Sequence, residues 1–149
     1  MAARWRLPPF KRAERARATE GTVGSVPVRV LKPTTYMNRS GAALASLRAD
    51  PAFSAARDLL ILVDDFQIPL GTFRLRTEGS AGGHNGLKSI EGALQSQQYA
   101  RLRIGVGPLP DGMKDWADYV LAPFEANELE QVEELMPQMM DAVEKWLQT

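Results

Sequence analysis

The chain has 149 residues, 44% apolar and 24% charged, the size and balance of one globular domain that buries about 70% of its unfolded surface. It has no cysteine and one histidine, which excludes disulfides, a thiol nucleophile and a zinc site of imidazole and thiolate ligands. Net charge is zero, yet residues 1–48 hold ten Lys/Arg against two acids, and residues 111–149 hold two against ten.

In chain order, residues 1–9 (MAARWRLPP) read as irregular; an Arg-rich, acid-poor start of this kind also suits an organelle transit peptide. Thr22–Leu31 reads as a turn followed by the strand VPVRVL. Ser40 is placed as the N-cap of a short helix over GAALASL, with Ala43, Leu44 and Leu47 on one face. In DLLILVDD, residues 58–65, five apolar residues in a row lie between acids, the pattern of a parallel-sheet strand buried on both faces. Phe73 and Leu75 alternate with Arg74 and Arg76, and Leu102, Ile104 and Val106 alternate with Arg101 and Arg103. This predicts two strands with arginines pointing outward. Leu87, Ile90 and Leu94 are spaced for a helix over Gly86–Gln95. Asn127–Leu147 reads as a longer amphipathic helix burying Leu129, Val132, Leu135, Met139, Val143 and Trp146, which Pro137 should kink or split. Strands alternating with helices predict one α/β domain over residues 1–149, three layers deep, with a mixed central sheet flanked by helices. No apolar run approaches the roughly 18 residues of a membrane span, so a soluble intracellular domain is expected.

Three stretches carry unusual chemistry. PTTYMNRSG, residues 33–41, presents Tyr36, Met37 and Asn38 between a strand and a helix. The Asn38 side chain can hold a carbonyl or an amide, or it simply caps the helix. Asp64 and Asp65 end the buried strand, where α/β sheets place their sites. Paired carboxylates there suit a metal or an oriented base, and a strand ending in Asp before a turn is the plainer reading. GSAGGHNGLKSI, residues 79–90, places glycines and His84 before a helix start whose N–H groups favour an anion or oxyanion. It lacks the spacing of a Walker A loop or a dinucleotide fingerprint. His84 reads as a binding or structural residue more readily than as a base.

Taken in this order, PTTYMNRSG, LVDDFQIPLG, GSAGGHNGLKSI and RLRIGVGPLP resemble the bacterial-type peptidyl-tRNA hydrolase family from about residue 10 to the C-terminus. The resemblance implies cleavage of the ester between a peptide and the terminal ribose of tRNA, without a metal or other cofactor. It implies that Tyr36, Met37 and Asn38 contact the substrate, and that Asp64 orients a catalytic histidine. It further implies that His84 and Asn85 touch substrate and water, and that Arg76 and Arg103 clamp tRNA phosphate.

One departure stands out. The family opens with a strand, a GLGNPG-like turn and a TRHNxG-like segment bearing the catalytic histidine, none of which occurs in these 149 residues. The expectation is a chain lacking that segment and its central strand, with little activity alone, since a general base contributes about 10²–10⁴ in rate. The expected partner is peptidyl-tRNA, bound by a cytoplasmic monomer; a mitochondrial or chloroplast location is the alternative. A non-catalytic RNA-binding relative, of the kind that serves organelle splicing, is the rival function. The basic N-terminal third suits either, through phosphate contacts and counterion release.

Overall fold

The computed structural model describes residues 1–107 and 125–149. Strands β1 (Lys11–Ala13), β2 (Ala16–Val23) and β3 (Val26–Pro33) form one antiparallel sheet in the order β1-β2-β3. Val23 pairs with Val26 across a two-residue loop, where Gly24 takes the positive φ of 62° that such tight hairpins require. The second sheet contains β4 (Leu60–Pro69), β5 (Phe73–Arg76) and β6 (Ala100–Gly107), in the order β4-β6-β5. β4 runs parallel to β6 and β5 antiparallel to it, so the sheet is mixed as expected.

Helices cover both faces of this second sheet. A 3₁₀ helix (Met37–Leu44) runs into α1 (Ala45–Arg48); then come α2 (Ala55–Asp58), α3 (Asn85–Leu94) and α4 (Ala126–Leu147). Successive strand residues point to opposite faces. Ile61 and Val63 accordingly pack with Leu44, Leu87 and Ile90, whereas Leu60 and Ile104 pack with Leu102, Leu135, Met139 and Val143. Leu87 and Leu102 are wholly buried, each worth about 1.5–3 kcal/mol of transfer free energy. The α/β fold and its helix–sheet–helix layering follow from this alternation.

Several local expectations are corrected. β4 is not buried on both faces: Leu62 remains 43% exposed, because β4 has a ladder partner only on its β6 side among the described residues. Ser40 caps nothing, since the helix already starts at Met37 and the Ser40 hydroxyl donates to the Met37 carbonyl at 2.7 Å. Gly41 instead sets the packing there. Its N–H donates to Ser89 Oγ at 2.9 Å, and a Cβ at this position would overlap the Ser89 carbonyl and stand 2.8 Å from Ala93 Cβ. Pro137 does not split α4. The proline costs about 3 kcal/mol, while Leu135, Met139 and Val143 each recover about 1.5–3 kcal/mol on the buried face around it. Residues 1–9 are irregular as read, but they dock on α4: Arg4 meets Asp141 at 2.8 Å and Glu144 at 3.1 Å, and the Trp5 indole donates to Glu144 at 2.8 Å. The last three residues of RLRIGVGPLP, 108–110, lie outside the described residues.

Candidate active site

β4 carries Asp64 and Asp65 at its middle, where its parallel register with β6 breaks between Asp65 and Pro69, so the two do not end the strand as expected; α3 begins beside them. His84 is the N-cap of α3: its Nδ1 accepts the Leu87 N–H at 3.2 Å. An accepting Nδ1 leaves the proton of the neutral imidazole on Nε2. That atom faces Asp64 Oδ1 at 3.7 Å, a charge–dipole approach longer than a hydrogen bond. The side chains are 17% and 43% exposed, so the pair is open to solvent on the Asp64 side. The His84 side chain holds the Asp64 carboxyl below its ordinary pKa, against the opposing pull of burial.

The sign of the linkage follows. A carboxyl whose pKa is lowered on folding adds stability in full above its unfolded value, and that stability is lost as pH falls through the lowered folded value. We expect His84→Ala to move the Asp64 titration, followed by carboxyl NMR shifts, up toward the ordinary aspartate value. An unchanged titration would separate the two side chains.

The two aspartates divide their work. Asp65 Oδ2 accepts from Arg103 Nη1 at 3.1 Å, and Arg103 Nη2 donates to the Ser80 carbonyl at 2.7 Å. Arg103 is only 18% exposed at its side chain, which corrects the expectation of an outward arginine free for phosphate. Arg101 departs further: it is 1% exposed, and its Nη1 donates to the Gly79 carbonyl at 2.7 Å. Its Nη2 donates to the carbonyls of Gln97 at 2.6 Å and Tyr99 at 3.1 Å. The guanidinium also lies 3.9 Å from the Tyr99 ring centre. Alternation reads the arginine face of β6 correctly, but β6 is the central strand and has no outward face. Arg76, on β5, is exposed as expected.

Tyr36 and Met37 are 82% and 56% exposed, and Asn38 is exposed beside them without capping the helix. Met37 leans on the first turn of α3, where a Cβ on Gly86 would come within 2.6 Å of its sulfur. Met37, Leu62, Asp64, His84 and Gly86 line one cavity of about 640 Å³. Tyr36, Asn38 and Asn85 stand outside that lining, on the segments adjoining Met37 and His84. The carboxylate pair read as a possible metal site serves His84 and Arg103 instead, and no three His, Asp or Glu side chains converge among the described residues. Arg101 and its carbonyl clamp left no mark in the sequence beyond one more arginine in an alternating strand.

Fold and site together define an α/β domain whose polar cluster, a carboxylate facing an imidazole, sits where the parallel pairing of β4 with β6 breaks register. The profile of the peptidyl-tRNA hydrolase family matches residues 1–149, and the chain belongs to that family of enzymes. It is 43% identical to a peptidyl-tRNA hydrolase of Gemmatimonas aurantiaca over 146 residues, 97% of this chain and 77% of the relative. It is 44% identical to one of Chloroflexus aggregans over 135 residues, 89% of this chain and 71% of the relative. The crystal structure of peptidyl-tRNA hydrolase from Acinetobacter baumannii superposes with a TM-score of 0.88 at 28% identity, covering 99% of this chain and 74% of that one. The family match begins at residue 1 and so lends no support to the expectation of a missing family segment. The relatives are bacterial, which gives the organelle alternative no support either. Among the described residues, no helix is long and apolar enough to cross a membrane.

Proposed function

We propose that this chain hydrolyses the ester between a peptide, or an N-blocked aminoacyl group, and the terminal ribose of tRNA, in the cytoplasm of a bacterial cell. The observation that carries the reading is the approach of His84 to Asp64, 3.7 Å apart beside Met37, in a chain of the family named for this reaction. Water adds to the ester carbonyl, the oxyanion forms and collapses, and the ribose oxygen leaves with a proton. Tyr36 and Met37 form the wall for the substrate end, and the side-chain amides of Asn38 and Asn85 hold its carbonyls and the water. The first N–H groups of α3 favour the developing oxyanion. Arg76 offers a guanidinium to tRNA phosphate; Arg103 does so only while holding Asp65.

His84 has no lone pair left to accept a proton from water. Its Nδ1 lone pair is committed to Leu87 and its Nε2 proton faces Asp64, so it steadies the bound substrate and Asp64. The reading gives the base to a second imidazole oriented by the free oxygen of Asp64, and the chain has one histidine. The test is single-turnover cleavage of N-acetyl-aminoacyl-tRNA by the 149-residue chain and by the chain extended with the opening segment that the family resemblance implies. The extended form is expected to be faster by about 10²–10⁴-fold. Equal rates would put the base within these 149 residues. Salt-dependent RNA binding with no cleavage by either form would favour the non-catalytic RNA-binding function.

A further inference from the structure

We propose that the hairpin sheet carries a second contact for the body of the RNA: a row of three cations, Arg12, Arg17 and Lys32, running across β1, β2 and β3. The ladder sets Arg12 opposite Arg17, and Arg17 opposite Lys32. Residues directly opposite in an antiparallel sheet leave the same face, here at strand spacings of about 4.8 Å. All three side chains are exposed, and none makes an ion pair among the described residues. Lys32 has one partner, the Phe10 ring, whose centre is 4.1 Å from its Nζ.

Like charges directly opposite one another destabilise a sheet, and this sheet avoids them elsewhere. Glu20 stands opposite Arg29, and the two are joined by an ion pair of 3.1 Å. Glu14, the acid nearest the row in sequence, is exposed at the turn between β1 and β2 and pairs with none of the three. A repulsive row left without counter-charge is matched by an external polyanion, and three heads in line across about 10 Å fit successive phosphates. Two of the three are arginines, whose forked donors suit phosphate oxygens.

The position of the row favours RNA over other polyanions. Lys32 precedes Tyr36 by four residues, at most about 14 Å of extended chain. A strand therefore leads from the row straight to the segment that meets the tRNA end, so one RNA can touch both. A membrane surface would call for apolar side chains held out beside the cations, and the aromatic nearest the row, Phe10, is half-buried with its ring against Lys32. The inference rests on tRNA being the substrate, and its test is independent of cleavage.

The experiment measures binding of uncharged tRNA to the full chain by fluorescence anisotropy across a salt series. Converting Arg12, Arg17 and Lys32 together to glutamine should weaken binding at low salt by about 10–100-fold and flatten the slope of log affinity against log salt by about 2–3. Arg17→Gln alone should flatten it by about 1, and the charge-keeping pair Arg12→Lys, Arg17→Lys should leave it in place. Thermal unfolding of the triple variant should match or exceed that of the parent, because a repulsion is removed. An unchanged salt slope overturns the proposal. So does a variant that loses binding to phosphatidylserine vesicles while its tRNA slope is intact. A flattened slope with ester cleavage by neither this chain nor its extended form defeats the enzymatic reading and keeps the RNA surface.

Discussion

Asp64→Asn is expected to lower the single-turnover rate of peptidyl-tRNA ester hydrolysis by about 10²–10⁴-fold. Binding of uncharged tRNA should change by less than about threefold. Asparagine keeps the volume of the side chain and removes its charge. His84 Nε2 then faces either an amide N–H, a donor against a donor, or a neutral carbonyl that holds an imidazole less well than a carboxylate does. If Asp64 acts through the imidazole it faces rather than on the tRNA, as proposed, kcat should fall with little change in KM. A rise in KM at constant kcat would make Asp64 a binding residue instead.

Arg101→Met is expected to destabilise the fold by about 3–5 kcal/mol, more than any surface substitution. The side chain is 1% exposed, and no carboxylate is bonded to it; its partners are the Gly79, Gln97 and Tyr99 carbonyls. Burial lowers its pKa from the ordinary arginine value, and a guanidinium tolerates this because it stays protonated. Methionine fills the space but leaves three carbonyls unpaired, at about 1–3 kcal/mol for each that water cannot reach. Lysine should restore less than half of the loss, since one ammonium cannot span acceptors on both sides of a planar fork. Denaturant midpoints measure the stability, and amide exchange at Leu87 reports whether the loop still seats His84 on α3. Full stability in Arg101→Met would mean that the loop closes without the clamp.

The elements carried by apolar periodicity were legible in the sequence. Five apolar residues before Asp64 mark β4, the Leu87–Ile90–Leu94 spacing marks α3, and the α4 stripe marks the buried face at Leu135, Met139 and Val143, while Leu129, in the first turn, is 45% exposed against expectation. β2 was not legible, because in ARATEGTV the two buried residues, Ala16 and Thr19, are three apart and lie on opposite faces, so no period-two contrast appears. Nor could alternation tell that Arg101 and Arg103 point into the molecule. That depends on β6 being the central strand, which the pairing of β4 and β5 decides. Asp64 and His84 could each be singled out, but nothing local says that residues twenty apart meet. The route from β4 through β5 and the glycine loop to the start of α3 brings them together. The resemblance implied their roles, and the geometry added that His84 Nδ1 is committed to the Leu87 N–H while Nε2 only approaches Asp64, at 3.7 Å.

The most direct test identifies the products formed from N-acetyl-aminoacyl-tRNA by this chain. The account predicts free N-acetyl amino acid and full-length tRNA in equal amounts, the tRNA ending in an intact ribose hydroxyl that can be aminoacylated again. Shortened tRNA, or binding without release of the amino acid, would contradict it.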